Sequence, residues 1–180
     1  MLWKSHQLVT FMGVLAVTGN PVASLLSSMA AVFPDAVEIA TGGFIKHRGI
    51  SHWFPIYLVP CVIDALYLHH ADALWITQAD IHSLFENGFT INLLIGNIFF
   101  WWFIGCLCHI VEDLLTGYIP IKNPSHRWKW KILFYPGSPK EYVFDILWVI
   151  CAMTMIAVNQ NVHIADWINQ ILYPIALLSN

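Results

Sequence analysis

The sequence predicts an all-α integral membrane protein, a helical bundle of about six helices. Of its 180 residues, 58% are hydrophobic and only 11% are charged, and the mean hydropathy is +0.63. A soluble domain of this length could not bury so much apolar side chain. The apolar residues fall in long runs, and Lys and Arg lie outside these runs. We therefore expect a single membrane-embedded domain over residues 1–180, with membrane lipids as its surroundings.

The first two apolar runs, Leu8–Val17 and Val22–Phe33, are short. At about 1.5 Å per residue, neither crosses a hydrocarbon core about 30 Å thick. The pair forms either a tight helical hairpin or one kinked span, and Asn20-Pro21 at the tip favours the hairpin. A cleavable signal peptide over residues 1–31 is the competing interpretation, but the Gly-Asn-Pro break interrupts its apolar region.

The rest of the chain alternates between polar segments and apolar runs. Pro34-Asp35 is expected to stop the second run, and Asp35–Trp53 to form a polar loop. The next run, Phe54–Leu68, carries Asp64 and two prolines and predicts an irregular span. The remaining predicted segments are the long membrane helix Phe89–Leu115, the basic loop Gly117–Lys140, and two C-terminal membrane helices within residues 141–180, Tyr142–Val158 and Ile164–Leu178.

The positive charges predict the topology. All eight Lys and Arg residues lie near the N terminus or in two loops, and six helices with both termini on one side bring these segments together. The positive-inside rule makes that side cytoplasmic. The same threading gathers six candidate metal ligands there: His6, Asp35, His47, His52, His109 and Asp113. Four other histidines fall on the opposite side, where we expect no metal role: His69, His70, His82 and His163.

His109 and Asp113 lie one helical turn apart near the end of the long apolar run. Residues at positions i and i+4 share a helix face, so an imidazole and a carboxylate placed there can bind one metal ion together. The same spacing also suits a hydrogen-bonded structural pair at a membrane boundary. Both interpretations remain open for the pair by itself.

The candidate ligands occur in motifs that can be compared with a known family. They are His6, Pro34-Asp35, His47-Arg48-Gly49-Ile50-Ser51-His52 and His109-x-x-x-Asp113-x-x-Thr116. This combination resembles the YdjM-like membrane-bound metal-dependent hydrolases, a bacterial inner-membrane family, over about residues 5–120, within the predicted metal-site core of residues 1–120. The chain departs from the family at Val37, where a second acidic residue is expected, and Glu38 one position later is an open candidate. Ser51-His52-Trp53 also replaces Thr-His-Ser.

The resemblance implies a hydrolase at the cytoplasmic side of the bacterial inner membrane. One or two divalent ions, Zn²⁺ or a similar first-row metal, would activate water to attack an ester or phosphoester of a small-molecule or lipid substrate. A more remote similarity to zinc-dependent phospholipase C implies an all-helical fold and a ligand set of His6, Asp35, His52, His109 and Asp113.

Two further residues are candidates for catalytic roles. Arg48 can hold a phosphate or carboxylate oxygen of the substrate, or simply anchor the inner face. Glu112 can act as a base on water, or merely as a solvated cap. The alternative function is a non-enzymatic membrane protein with a structural or transport metal site. No nucleic-acid partner is expected, and the sequence leaves the oligomeric state open.

Overall fold

The computed structural model describes residues 1–42, 44–45, 47–71, 91–125, 127–129 and 133–159. Within these ranges the chain is mainly helical, with one pair of short antiparallel strands. The elements in chain order are α1 (Trp3–Thr18), α2 (Pro21–Ala30), α3 (Phe33–Ala40), the single 3₁₀ turn η1 (Ile50–His52), α4 (Pro55–His70), α5 (Ile91–Thr116), β1 (Tyr118–Pro120), β2 (Arg127–Lys129) and α6 (Pro139–Asn159).

Four helical segments in the described ranges are long and apolar enough to cross a membrane: Pro21–Ala40, Ile50–His70, Ile91–Thr116 and Pro139–Asn159. The helical and apolar character expected from composition is therefore confirmed, but the count of about six membrane helices is not. Helix α1 has 16 residues and is shorter than the about 20 residues that a transmembrane helix needs. The predicted last helix, Ile164–Leu178, lies outside the described residues.

Helices α1 and α2 form a hairpin, for which the turn residues are responsible. Gly19 ends α1 in the left-handed region, with φ at 65°, and donates its N–H to the Leu15 carbonyl. The Asn20 side chain then accepts the first free N–H groups of α2. Near the other end of the hairpin, Ser28 Oγ donates to the Gln7 carbonyl at 2.9 Å, so the two helices run antiparallel.

The prediction that Pro34-Asp35 stops the second apolar run is wrong. Pro34 lies in the first turn of α3, where the missing N–H of proline would have no helical partner anyway, and its fixed φ favours helix. The predicted polar loop Asp35–Trp53 is consequently helical as far as Ala40. Asp35 occupies the first turn of α3, where the helix dipole favours a carboxylate.

Helix α4 also differs from its prediction as an irregular span. Pro60 lies inside the helix, which continues from Pro55 to His70.

Two hydrogen bonds hold the segment that precedes α4. Tyr57 Oη donates to the Ser51 carbonyl at 2.8 Å, and Trp53 Nε1 donates to the Ile121 carbonyl at 3.1 Å. These bonds fix η1 against the strand pair, in which Ile119 of β1 lies opposite Trp128 of β2.

Helix α5 packs against α2 at very short range. A methyl group built on Gly105 would overlap the Ser27 carbonyl oxygen and lie 2.8 Å from Ala30 Cβ. Ser27 Oγ donates to the Trp101 carbonyl at 2.8 Å across the same contact. This crossing fixes the position of α5 relative to the α2–α3 segment.

Helix α6 is joined to α1 by buried polar groups. The Glu141 side chain is fully buried and accepts the Leu2 N–H at 2.7 Å, and Ser5 Oγ donates to Asp145 Oδ2 at 2.7 Å. Further along, Trp148 Nε1 donates to the Val9 carbonyl at 2.9 Å. The first turns of α1 and α6 thus lie at the same end of the bundle.

The contact at Gly105 predicts a strong effect of a small substitution. We expect Gly105→Ala to lower the unfolding temperature in detergent by about 3–10 °C, because overpacking of backbone costs about 1–3 kcal/mol. Gly96→Ala in the same helix is the matched control, since its added methyl meets a movable Leu68 methyl at 3.3 Å. Equal unfolding temperatures for the two variants would contradict the close α2–α5 contact.

Candidate metal centre

Four side chains from three segments meet at one end of the bundle: Asp35 in the first turn of α3, His52 at the end of η1, and His109 and Asp113 in the last turns of α5. Both histidine side chains are completely buried, and the Asp113 side chain is 2% exposed. The Asp35 side chain is 19% exposed. The cluster is therefore enclosed by protein on most sides and accessible at Asp35.

The donor atoms of these residues face one another. His52 Nε2 lies 3.1 Å from His109 Nε2, 3.4 Å from Asp35 Oδ1 and 3.3 Å from Asp113 Oδ2. His109 Nε2 lies 3.7 Å from each of the same two carboxylate oxygens. All four residues offer donor atoms within 4.8 Å of one another, so the cluster could hold a metal ion.

The two oxygens of Asp113 have different surroundings. Oδ1 accepts from Arg48 Nη2 at 2.9 Å and from the Met1 amino group at 3.1 Å. Oδ2 is buried and has no hydrogen-bond donor within the described part of the chain. A buried carboxylate oxygen without a partner is costly. Because Oδ2 faces both Nε2 atoms, a bound cation would satisfy it, and the residues present therefore fit a metal ion.

Glu38 organises the segment that carries His52. Its Oε1 atom accepts the Arg48 N–H at 2.7 Å and the Ser51 hydroxyl, and lies 2.9 Å from His52 Nδ1. Its Oε2 atom lies 2.6 Å from His47 Nδ1. A carboxylate on Nδ1 orients a metal-binding imidazole and leaves Nε2 for the ion. Glu38, which the sequence left open as a ligand, thus orients the candidate ligand His52.

His6 lies against the cluster but outside the four-residue set. Its Nδ1 atom is 2.6 Å from Glu112 Oε2, whose other oxygen accepts from Thr10 Oγ1 at 2.9 Å. The His6 ring packs on the His109 ring with centroids 4.1 Å apart. Its Nε2 atom is 3.4 Å from Asp113 Oδ1. The candidate base Glu112 is therefore buried and contacts His6, where the sequence also allowed a solvated cap.

His47 belongs to a second, more exposed group. It can share an ion with Asp35 and Glu38, and its side chain is 72% exposed. Asp35 is common to the two groups. The six candidate ligands predicted from the sequence thus lie near one another, and the structure separates them into three groups: a set of four in which only Asp35 is partly exposed, the adjacent His6, and the exposed His47.

The Arg48 guanidinium points towards Asp113. Besides the ion pair with Oδ1, Nη2 donates to Thr116 Oγ1 at 3.3 Å, and the side chain is only 13% exposed. The sequence predicted either a substrate oxygen as the partner of Arg48 or a role in anchoring the inner face, and not this contact with a candidate metal ligand. The Thr116 in the His-x-x-x-Asp-x-x-Thr pattern was the available signal.

Two other contacts were missed by sequence reasoning. Trp3 Nε1 donates to Asp35 Oδ2 at 3.1 Å, and Ser51 contacts Glu38. No spacing rule links an indole on α1 to an acid on α3. Of the histidines expected to have no metal role, His69 and His70 end α4, about 22 Å along the helix from Pro55 at about 1.5 Å per residue. His82 and His163 lie outside the described residues, and so does His126, whose role the sequence left open.

Comparison of the chain with models of protein families, with curated proteins and with solved structures finds no match.

Proposed function

We propose that this protein is a membrane-bound metal-dependent hydrolase whose ion binds to Asp35, His52, His109 and Asp113. The observation that carries the proposal is the convergence of four donor atoms with five separations of 3.1–3.7 Å. A tetrahedral Zn²⁺ with nitrogen and oxygen ligands at about 2.0–2.1 Å would place those ligands about 3.3–3.4 Å apart. Zn²⁺ or a similar first-row ion is the best match to this donor set.

Hydrolysis requires a position on the ion that water or substrate can reach. When bound, such an ion lowers the pKa of a coordinated water to about 7 and so supplies a hydroxide nucleophile at neutral pH. Asp35 is the most exposed of the four ligands, and its other oxygen is held by Trp3 rather than by a buried group. We infer that water and substrate would approach from the Asp35 side, because Asp35 is the candidate ligand that solvent reaches.

The surroundings of Asp35 favour an amphipathic substrate. Trp3 and Ile39 are exposed, and Ile39 lies one helical turn after Asp35 on the same face of α3. Asp35 itself lies within a segment that can span a membrane. A lipid-linked or membrane-proximal ester or phosphoester would place its polar bond at the ion and its apolar part against these side chains.

We place the centre at the cytoplasmic side of the bacterial inner membrane. Lys4, Arg48, Lys122 and Lys140 belong to the segments at the same end of the bundle as the cluster. The positive-inside rule assigns that end to the cytoplasm.

The second candidate function is a non-enzymatic protein with a structural metal site. It is favoured by the number of protein ligands, because structural zinc sites have four and catalytic sites usually have three and an open position. Cobalt substitution separates the two functions. A hydrolase should change its visible cobalt spectrum when inorganic phosphate is added, whereas a closed structural site should not respond.

The ligand assignment predicts different results for two neighbouring histidines. His52→Ala should lose the tightly bound ion, because it removes the Nε2 atom at the centre of the four-donor set. His47→Ala should retain that ion, since His47 lies outside the set. Metal content after dialysis against a weak chelator measures both, and His70→Ala is the unrelated control. Full metal content in His52→Ala would refute the assignment.

The substitution Glu112→Gln tests for a contribution to catalysis that is separate from metal binding. In Glu112→Gln the side chain loses its negative charge and an N–H₂ donor replaces one acceptor oxygen, so the contacts with His6 and Thr10 cannot both keep their present donor–acceptor pattern. We expect metal content to stay near that of the parent and turnover of a phosphodiester or lipid-ester substrate to fall about 10- to 100-fold. His109→Ala should remove metal and turnover together. Unchanged turnover in Glu112→Gln would exclude a catalytic contribution.

The sidedness can be tested with two exposed positions at opposite ends of the bundle. In a Cys151→Ser background, Ala71→Cys after α4 should react with a membrane-impermeant maleimide on intact cells. Lys122→Cys after β1 should react only in inside-out vesicles. Labelling of both positions from the same side would reject the proposed topology.

A further inference from the structure

Gly117, the residue after α5, lies directly against the Arg48 guanidinium. A methyl group built on Gly117 would overlap Arg48 Nη1 and lie 3.2 Å from Cζ. The guanidinium therefore occupies the space that any larger residue at position 117 would fill. Gly117 lies between the end of α5 at Thr116 and the start of β1 at Tyr118.

Arg48 is fixed at both its ends. Its backbone adopts a φ of 51°, an uncommon left-handed conformation for a residue other than glycine. The Glu38 carboxylate accepts its backbone N–H at 2.7 Å, which holds this conformation. At the other end, Nη2 reaches Asp113 Oδ1 at 2.9 Å and Thr116 Oγ1 at 3.3 Å. Arg48 thus links Glu38, which contacts His52 Nδ1, to Asp113, whose Oδ2 atom faces the proposed ion site.

This connection determines which oxygen of Asp113 is available. With Oδ1 held by Arg48, Oδ2 points between the Nε2 atoms of His52 and His109, at 3.3 and 3.7 Å. Rotation of the carboxylate would break the ion pairs that Oδ1 makes with Arg48 and with the Met1 amino group, and breaking buried ion pairs is strongly unfavourable. We propose that Arg48 is a positioning residue that presents Asp113 Oδ2 to the metal, and that Gly117 provides the space it needs.

The inference rests on the proposed metal site and gives Arg48 a different role from substrate binding. A residue that binds only substrate would change KM without changing the affinity for metal. A positioning residue changes the metal affinity when no substrate is present. The two roles are therefore separated by one measurement on the protein without substrate.

The experiment measures the Zn²⁺ dissociation constant of the detergent-solubilised protein by competition with a chromophoric chelator. Arg48→Met and Gly117→Ala should each weaken binding about 10- to 100-fold, the range found when a partner of a metal ligand is removed. The double variant should be little weaker than either alone, because both remove the same contact. Arg48→Lys keeps the charge and should restore part of the affinity, whereas Gly96→Ala, in α5 but far from the site, should bind as the parent does.

A second readout separates positioning from a general loss of stability. The cobalt-loaded Arg48→Met and Gly117→Ala proteins should show the same altered visible spectrum at saturation, since Asp113 then binds differently. In an Asp113→Asn background, Arg48→Met should add no further loss of affinity.

A Zn²⁺ affinity in Arg48→Met equal to that of the parent would overturn the inference. So would a lower Zn²⁺ affinity in Arg48→Met combined with a cobalt spectrum at saturation equal to that of the parent. Parent-like affinity in Gly117→Ala would overturn the part that concerns the glycine. A parent protein that binds Zn²⁺ but hydrolyses no ester leaves the positioning role intact and rejects the hydrolase. A parent that binds no Zn²⁺ rejects both.

Discussion

The buried carboxylate of Glu38 is the group on which the rest of the site depends. Its two oxygens are satisfied by the segment His47–His52, through the Arg48 N–H, the Ser51 hydroxyl and the histidine rings. A buried carboxylate without such partners is expensive, so α3 and this segment stabilise each other. The same contacts orient the His52 imidazole and hold Arg48 in its unusual backbone conformation. The oriented His52 imidazole places its Nε2 atom in the candidate metal cluster, and Arg48 contacts Asp113 of the same cluster.

The negative charge of the cluster favours the binding of a cation. Asp35 and Asp113 bring two carboxylates to the same small volume, and Asp113 Oδ2 has no donor within the described residues. Arg48 compensates part of this charge from the side of Oδ1. A divalent cation bound by these groups in their deprotonated form would supply the remaining compensation, and its binding energy would contribute to the stability of the folded site.

The sequence predicted the features that depend on local spacing. The Gly19-Asn20-Pro21 turn, the long helix that ends in His109-x-x-x-Asp113 and the apolar segments follow from neighbouring residues. The prediction at Pro34 is wrong because a proline can either end a helix or lie in the first turn of the next one. The packing of the residues after Pro34 determines which of the two occurs. The sequence also could not predict the contacts of Glu38 or Arg48, because these join residues up to 68 positions apart whose side chains carry no periodic signal. The ligand set was recognised as a group, but its division into buried and exposed members depends on geometry alone.

The distribution of the ligands along the chain has a consequence for biosynthesis. Asp35 and His52 leave the ribosome well before His109 and Asp113, and the α2–α5 contact at Gly105 is required to bring the two pairs together. A nascent chain that stops short of α5 has two of the four donors and cannot enclose an ion. A bound ion would therefore require the insertion and packing of α5, so a metal-loaded chain would be one whose helices have already assembled.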